Sequence, residues 1–447
     1  MNEKSSFKIQ NLIIQNPIIQ NSKFKSTNEM KTLSTLILTL ILTITQAGTL
    51  ISFEKVQHLD KDELNKFWKS SGVPKLITPL ICEIDIYELM YSTNLPNGEE
   101  LIASGLYYVP LNYPYEVATM QYNHGTAMTN RSEGSYDYNG ESTICKIFAA
   151  DGYAVAWQDY IGLGKATGFH PYQHLESEGQ SGVDLLIAVG EINEIIGLKV
   201  NDQLFVTGYS QGGHAALAVH KTIQEKYSDL FAVTASSPMS GAHDMSGVQN
   251  EIMVIDYSQP HYLPFLLYGY QKVYNIFPSD DEFRQIFKPE YQHVLDKILS
   301  KGHGLGDINA MLPSKPFEMI EPYFFDQYKN NPDFIFTKAL KENDTYNWVP
   351  EAPVQFCYCK GDEEVYYKNS IVAMEWMKAN GAKRIIDRKV SDTFNHRECA
   401  DYAVMYTKFF FDSFRNGFEK GRKGNFIKNT LVRTVVKMEE KKKLKKK

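Results

Sequence analysis

The chain has 447 residues and a formal net charge of −6; 43% of its residues are hydrophobic and 13% aromatic. That length holds one large core with an inserted subdomain and exceeds a single minimal module. The aromatic content excludes a disordered chain, and the negative balance gives no electrostatic reason to expect a nucleic-acid partner.

Residues 1–29 are rich in Asn, Gln and Lys and carry no core-forming pattern. Met30-Lys31 then precedes thirteen apolar or Thr/Ser positions, Leu33 to Thr45, and a small-residue site at Thr45-Gln46-Ala47. This is the layout of a secretory signal peptide, so residues 1–47 are expected to be an extension and leader, and the protein to be secreted. Counted through Ile51, the segment becomes a borderline uncleaved membrane anchor, the alternative expectation. Cys82 to Ser92 and Leu101 to Pro110 alternate about Asn97-Gly98 and predict an opening hairpin. A strand over Val117–Tyr122, a helix over Ser142–Ala150 and a strand over Tyr153–Gln158 follow. Gln180 to Gly197 has helical periodicity through Val183, Leu186, Val189 and Ile192.

Leu204–Thr207 reads as a buried strand, followed by a helix to about Tyr227 and a strand over Ala232–Ser236. From about Ser246 to Trp348 the alternation stops, in a stretch dense in aromatics from Tyr257 to Phe277 and broken by Pro313, Pro316, Pro322 and Pro332. Strand Val354–Tyr358, helix Lys368–Asn380, strand Arg384–Val390 and helix Glu398–Phe414 resume it. Strands alternating with helices predict an α/β fold with a mostly parallel sheet covered on both faces. The expected boundaries are a core over 75–245 and 349–415, a helical cap over 246–348 and a basic tail over 416–447. Apolar cap helices would suit a hydrophobic acyl or alcohol group and keep water from the reacting carbonyl. Residues 418–447 hold twelve Lys or Arg against three Glu, a balance of +9 that leaves −15 elsewhere. Such an end reads first as a solvated tail; weak attachment to an anionic membrane or another acidic surface is the sharper reading.

Gly208-Tyr209-Ser210-Gln211-Gly212-Gly213 follows the buried strand and opens a helix, the sequence form of a nucleophile elbow. The turn is tight, so small residues flank the serine and Oγ stands above the sheet. An acid and a histidine follow in chain order. Asp362, first after the glycine in Lys360-Gly361-Asp362-Glu363-Glu364-Val365, is preferred over Glu363 and Glu364 as the acid; at least one of the three is expected to cap the next helix. His396 lies between the last strand and the last helix, where a general base belongs. Ser210 would attack a carbonyl, His396 would take its proton, and Asp362 would hold the imidazole. The oxyanion would meet the N–H of Gln211 and a main-chain N–H at Gly125 or Thr126, in the loop after Val117–Tyr122. His170 and His174 read as loop histidines; no third ligand is spaced to complete a metal site, and no cofactor is expected. There are five cysteines. Cys359 lies three residues before the acid and Cys399 three after the base, so a disulfide between them becomes feasible if Asp362 and His396 meet.

Tyr122-Asn123-His124-Gly125-Thr126, Asp159-Tyr160-Ile161-Gly162-Leu163-Gly164 with His170-Pro171-Tyr172, the elbow through His214, and Asn347-Trp348-Val349-Pro350 together resemble the secretory lipase (lipase A-like) group of α/β-hydrolases. The resemblance covers roughly residues 75 to 415. It implies the α/β-hydrolase fold with an inserted cap, a Ser210–Asp362–His396 triad, and hydrolysis of small-molecule or lipid carboxylic esters, including acylglycerols. Asp159 matches a motif of the group and is expected to brace its loop. A serine peptidase or acyltransferase on the same fold is the alternative, and a non-catalytic binding protein a third.

Overall fold

The computed structural model describes residues 47–71, 79–128, 136–137, 140–299, 305–416 and 425–446. Residues 1–46, which carry nearly all of the expected leader, lie outside them. Nine strands form one mixed sheet in the order β1-β2-β3-β5-β4-β6-β7-β8-β9. The strands are β1 (Leu50–Leu59), β2 (Glu83–Asn94), β3 (Glu100–Leu111), β4 (Val117–Asn123), β5 (Tyr153–Gln158), β6 (Val200–Tyr209), β7 (Val233–Met239), β8 (Val354–Cys359) and β9 (Ile385–Ser391). β1, β2, β3 and β5 are joined by antiparallel ladders, and every ladder from β5 through β4 to β9 is parallel. Helices connecting the strands are α1 (Lys61–Ser71), α2 (Ser142–Ala150), α3 (Leu175–Ile196), α4 (Gln211–Lys226), α5 (Lys368–Ala379) and α6 (His396–Phe414), followed by α7 (Asn425–Lys446).

The pleat sends successive residues of a strand to opposite faces, and both faces are covered. In β5, Tyr153, Val155 and Trp157 share a core with α2 and α6, whereas Ala154 and Ala156 pack with Val183, Leu185 and Val189 of α3. Burial on both sides is why β5 and β8 read as mostly apolar runs in place of an apolar–polar alternation. On the first face a charged cluster fastens α6. Lys408 Nζ lies 2.5 Å from Asp151 Oδ2 and 2.9 Å from Asp412 Oδ2, and these side chains are at most 1% exposed. Tyr153 Oη donates to Asp412 at 3.0 Å, and Arg415 Nη2 donates to the Gly152 carbonyl at 2.6 Å.

Between β7 and β8 the chain makes a helical excursion with its own apolar core. Leu263, Leu267 and Tyr270 of one helix meet Phe324, Phe336 and Leu340 of later ones, and Met128, Tyr172 and Val365 join them.

The described tail departs from the solvated chain expected. α7 lays Val432 and Val436 into the core of α6, Glu440 Oε1 accepts from Ser391 Oγ at 2.5 Å and Asp392 N at 2.9 Å, and Lys443 pairs with Glu398. Two valines four apart share one face of α7, and that face docks it.

Candidate active site

β6 ends at Tyr209 and α4 begins at Gln211, leaving Ser210 alone at the corner with φ 60° and ψ −120°. A non-glycine residue there stores about 1–3 kcal/mol, so the surroundings must enforce it. They do so by close approach: a Cβ on Gly212 would stand 1.9 Å from the Asn123 carbonyl oxygen, and one on Gly208 would stand 2.2 Å from the Gly212 oxygen. Ser210 N donates to Met239 O at 3.0 Å, pinning the corner to β7.

His396 is the first residue of α6. Asn395 and Glu398 close a reciprocal capping box around it, each accepting the other's backbone N–H at 2.9 Å. Tyr209, the neighbour of Ser210, carries His396 to the elbow: its hydroxyl donates to the His396 carbonyl and the two rings lie 4.9 Å apart. The three consecutive acids address three different atoms of this residue. Asp362 takes Nδ1, at 2.9 Å and 2.8 Å from its two oxygens; Glu363 accepts the backbone N–H at 3.0 Å; Glu364 Oε2 stands 3.9 Å from Nε2. None of them caps α5, the use expected of at least one. Asp362 is itself held by N–H groups of Glu364 and Val365. Among the described residues no hydrogen bond joins Ser210 Oγ to His396 Nε2. Such bonds are often long before substrate arrives.

Burial alone would lower the basicity of His396, but the Asp362 carboxylate, with Glu364 and Glu363 behind it, raises its pKa to about 9. A raised native pKa means the folded state holds the proton more tightly. The stabilisation is full below about 6.5, the ordinary histidine value, and is lost as pH rises through about 9. Serving as a general base, His396 would have to be neutral, and kcat/KM for an ester would then climb with an inflection well alkaline of an ordinary histidine. Glu364→Gln should move that inflection toward lower pH; a pH–rate series on both proteins checks it. Burial pushes His174, His220 and His243 down to about 3, leaving them neutral through this range.

The region expected to hold the oxyanion differs from expectation at one residue. Gly125 N–H, one of the anticipated donors, points instead at Glu141, 3.0 Å from Oε1 and 3.2 Å from Oε2. Tyr122 Oη donates to the same carboxyl at 2.6 Å. Burial raises the Glu141 carboxyl to about 7, while these two donors pull it down. Gln211 and Thr126 are the remaining expected positions. Gln211 N is the first N–H of α4, a position with no carbonyl partner inside its own helix. Its side chain is fixed by His170 Nε2 and Glu178 Oε1, each 2.9 Å away, and Glu178 Oε2 also lies 2.6 Å from His214 Nδ1. Thr126 Oγ1 lies 2.9 Å from Tyr172 Oη. Asp159 accepts from Ser104 Oγ at 2.7 Å, bracing its loop against β3.

Ser210 faces a cavity, partly open to solvent, whose lining includes Tyr172, Ile252, Tyr257, Tyr262 and Leu263. Gln173, at φ 55°, also lines it, and its buried carboxamide oxygen accepts no hydrogen bond among the described residues. Tyr262 Oη and Gln259 Nε2 of the helical excursion both donate to the Glu364 carboxylate, at 2.9 Å and 3.0 Å. Cys359 and Cys399 form a disulfide, as their spacing from the acid and the base anticipated. Glu141, Glu178, Glu364 and Gln173 were not singled out from sequence for these contacts.

A serine at a strained strand-to-helix corner, with its neighbour Tyr209 bonded to a histidine that meets an acid at the ends of the last two strands of a mostly parallel sheet, decides the architecture. This is the α/β-hydrolase fold. No family model matches the chain, and no curated protein matches it. Among solved structures, the hydrolase fold is shared with a protein of Legionella pneumophila provisionally assigned as a hydrolase: 25% identity, TM-score 0.74, covering 83% of this chain and all of that one. The cell-wall-degrading esterase LipA of Xanthomonas oryzae, in a ligand-bound form, superposes at 24% identity and TM-score 0.71 over 81% of this chain and 96% of its own. Lipase A of Candida antarctica does so at 15% identity and TM-score 0.62 over 84% of each. The lipase A-like resemblance of the sequence thus has its counterpart among the folds that this hydrolase is similar to.

Proposed function

We propose that this hydrolase cleaves carboxylic esters through an acyl-enzyme on Ser210. The observation that carries the reading is Ser210 in its strained corner beneath an apolar cavity, its neighbour Tyr209 bonded to a histidine whose Nδ1 is held by Asp362. In this mechanism His396 Nε2 takes the Ser210 proton as Oγ attacks the carbonyl, and Asp362 keeps the proton on Nδ1 and offsets the imidazolium charge. The oxyanion rests on the N–H of Gln211 and on Thr126; Gly125 N–H joins only if Glu141 lets it go. His396 then returns its proton to the leaving alcohol, and water repeats the cycle on the acyl group. The helical excursion acts as the cap, and its aromatic wall receives an apolar acyl or alcohol part, including that of an acylglycerol. The leader pattern of residues 30–47 and a disulfide at the site support export into an oxidising compartment.

The deciding experiment sets p-nitrophenyl esters of increasing acyl length beside the matching anilides. Ester turnover that depends on chain length, with anilides inert, is the expected result. Anilide turnover without ester turnover would reassign the chain as a peptidase, and silence on both series would leave a binding protein.

A further inference from the structure

The outer face of α7 is unlike the face that docks it. Ile427, Leu431, Val435 and Met438 follow at spacings of four, four and three, which places them in one row along the helix. They are 70%, 43%, 46% and 54% exposed, while Val432 and Val436 on the adjoining face are buried. Lys441 and Lys445 continue the exposed row at the same spacing, and both are exposed. In all, residues 425–446 hold eight Lys or Arg against two Glu, on a chain whose remainder is acidic. The contacts of Glu440 with Ser391 and Asp392, and of Lys443 with Glu398, put the lysine-rich end at the loop that carries His396.

We propose that α7 is a docking surface for an anionic lipid membrane, which seats the catalytic rim of the sheet against the lipid. Two features select lipid over other acidic partners. A row of large apolar side chains held in water by a folded helix has something to enter in the acyl boundary of a bilayer, while flanking lysines stay at the headgroups. A nucleic acid would use the charge but leave that row exposed, and base or phosphate forks favour arginine, of which α7 has one, Arg433. The inference stands apart from the esterase reading, because it concerns where the protein sits and not what it cleaves.

The test is sedimentation of the full-length protein with vesicles of phosphatidylcholine containing phosphatidylserine, compared with phosphatidylcholine alone and with duplex DNA. Binding is expected on the mixed vesicles, falling with added salt. Lys441→Glu with Lys445→Glu should weaken it by about thirtyfold or more, because each lysine near an anionic surface contributes roughly a fivefold factor. Leu431→Ser with Val435→Ser should weaken it as well, although it leaves the charge intact. These side chains are outside the core, so an unchanged melting temperature and unchanged hydrolysis of a soluble short-chain ester verify folding independently. No vesicle binding, equal binding to both lipid compositions, or DNA binding stronger than vesicle binding and indifferent to the serine pair would each overturn the proposal.

Discussion

Ser210→Ala is expected to fold normally and to lose ester turnover by about 10⁴-fold or more, since the attacking group vanishes while pocket and oxyanion donors remain. Alanine keeps the Cβ and therefore keeps the φ 60° strain, so its melting temperature should sit close to that of the parent. Ser210→Gly offers a second reading of the same corner. Without a Cβ the residue accepts positive φ readily, and the glycine protein should be equally inactive but more stable than the alanine one. Steady-state rates on a soluble ester, with thermal melts of all three proteins, check both statements. Full activity in the alanine protein would end the assignment of Ser210.

Removing the disulfide should give the largest loss of stability. Cys359→Ser with Cys399→Ser opens a link across 40 residues, for which the chain-entropy estimate is about 4 kcal/mol. The expected outcome is a melting temperature lower by several degrees, read by calorimetry. The bridge joins the end of β8, three residues before Asp362, to the first turn of α6, three residues after His396. Its loss should therefore also reduce kcat at temperatures where the protein is still folded, because acid and imidazole would no longer share a fixed frame. An unchanged kcat in the folded double variant would show that the capping box and the Asp362 contacts suffice to place the ring.

The residues proposed as a triad could be picked out in the sequence because each sits at a chemically marked strand end: glycines around Ser210, Gly361 before Asp362, a loop between β9 and α6 for His396. The parallel strands were equally visible, since burial on both faces leaves mostly apolar runs such as Val354–Cys359. β1 escaped notice for the opposite reason. It is an edge strand whose residues 51–55 are exposed, so no alternation distinguishes it from a loop. α7 was hidden by its own charge, with two valines doing the docking among eight cationic residues. Contacts that depend on tertiary approach had no local mark at all. Glu141 comes to Gly125 from sixteen residues away, and Glu178 reaches Gln211 across thirty-three. A buried carboxylate of this kind looks, in a linear string, like any surface glutamate.

The ionic cluster of Lys408, Asp151 and Asp412 makes α6 an all-or-none element. Peeling the helix partway off the sheet would strand an ammonium or a carboxylate in the apolar interior, a penalty of several kcal/mol for each ion. Intermediate degrees of detachment are thereby disfavoured, and amide hydrogens near Lys408 should exchange only when the whole molecule opens. The imidazole of His396 thus inherits its steadiness from a charge knot three helical turns away.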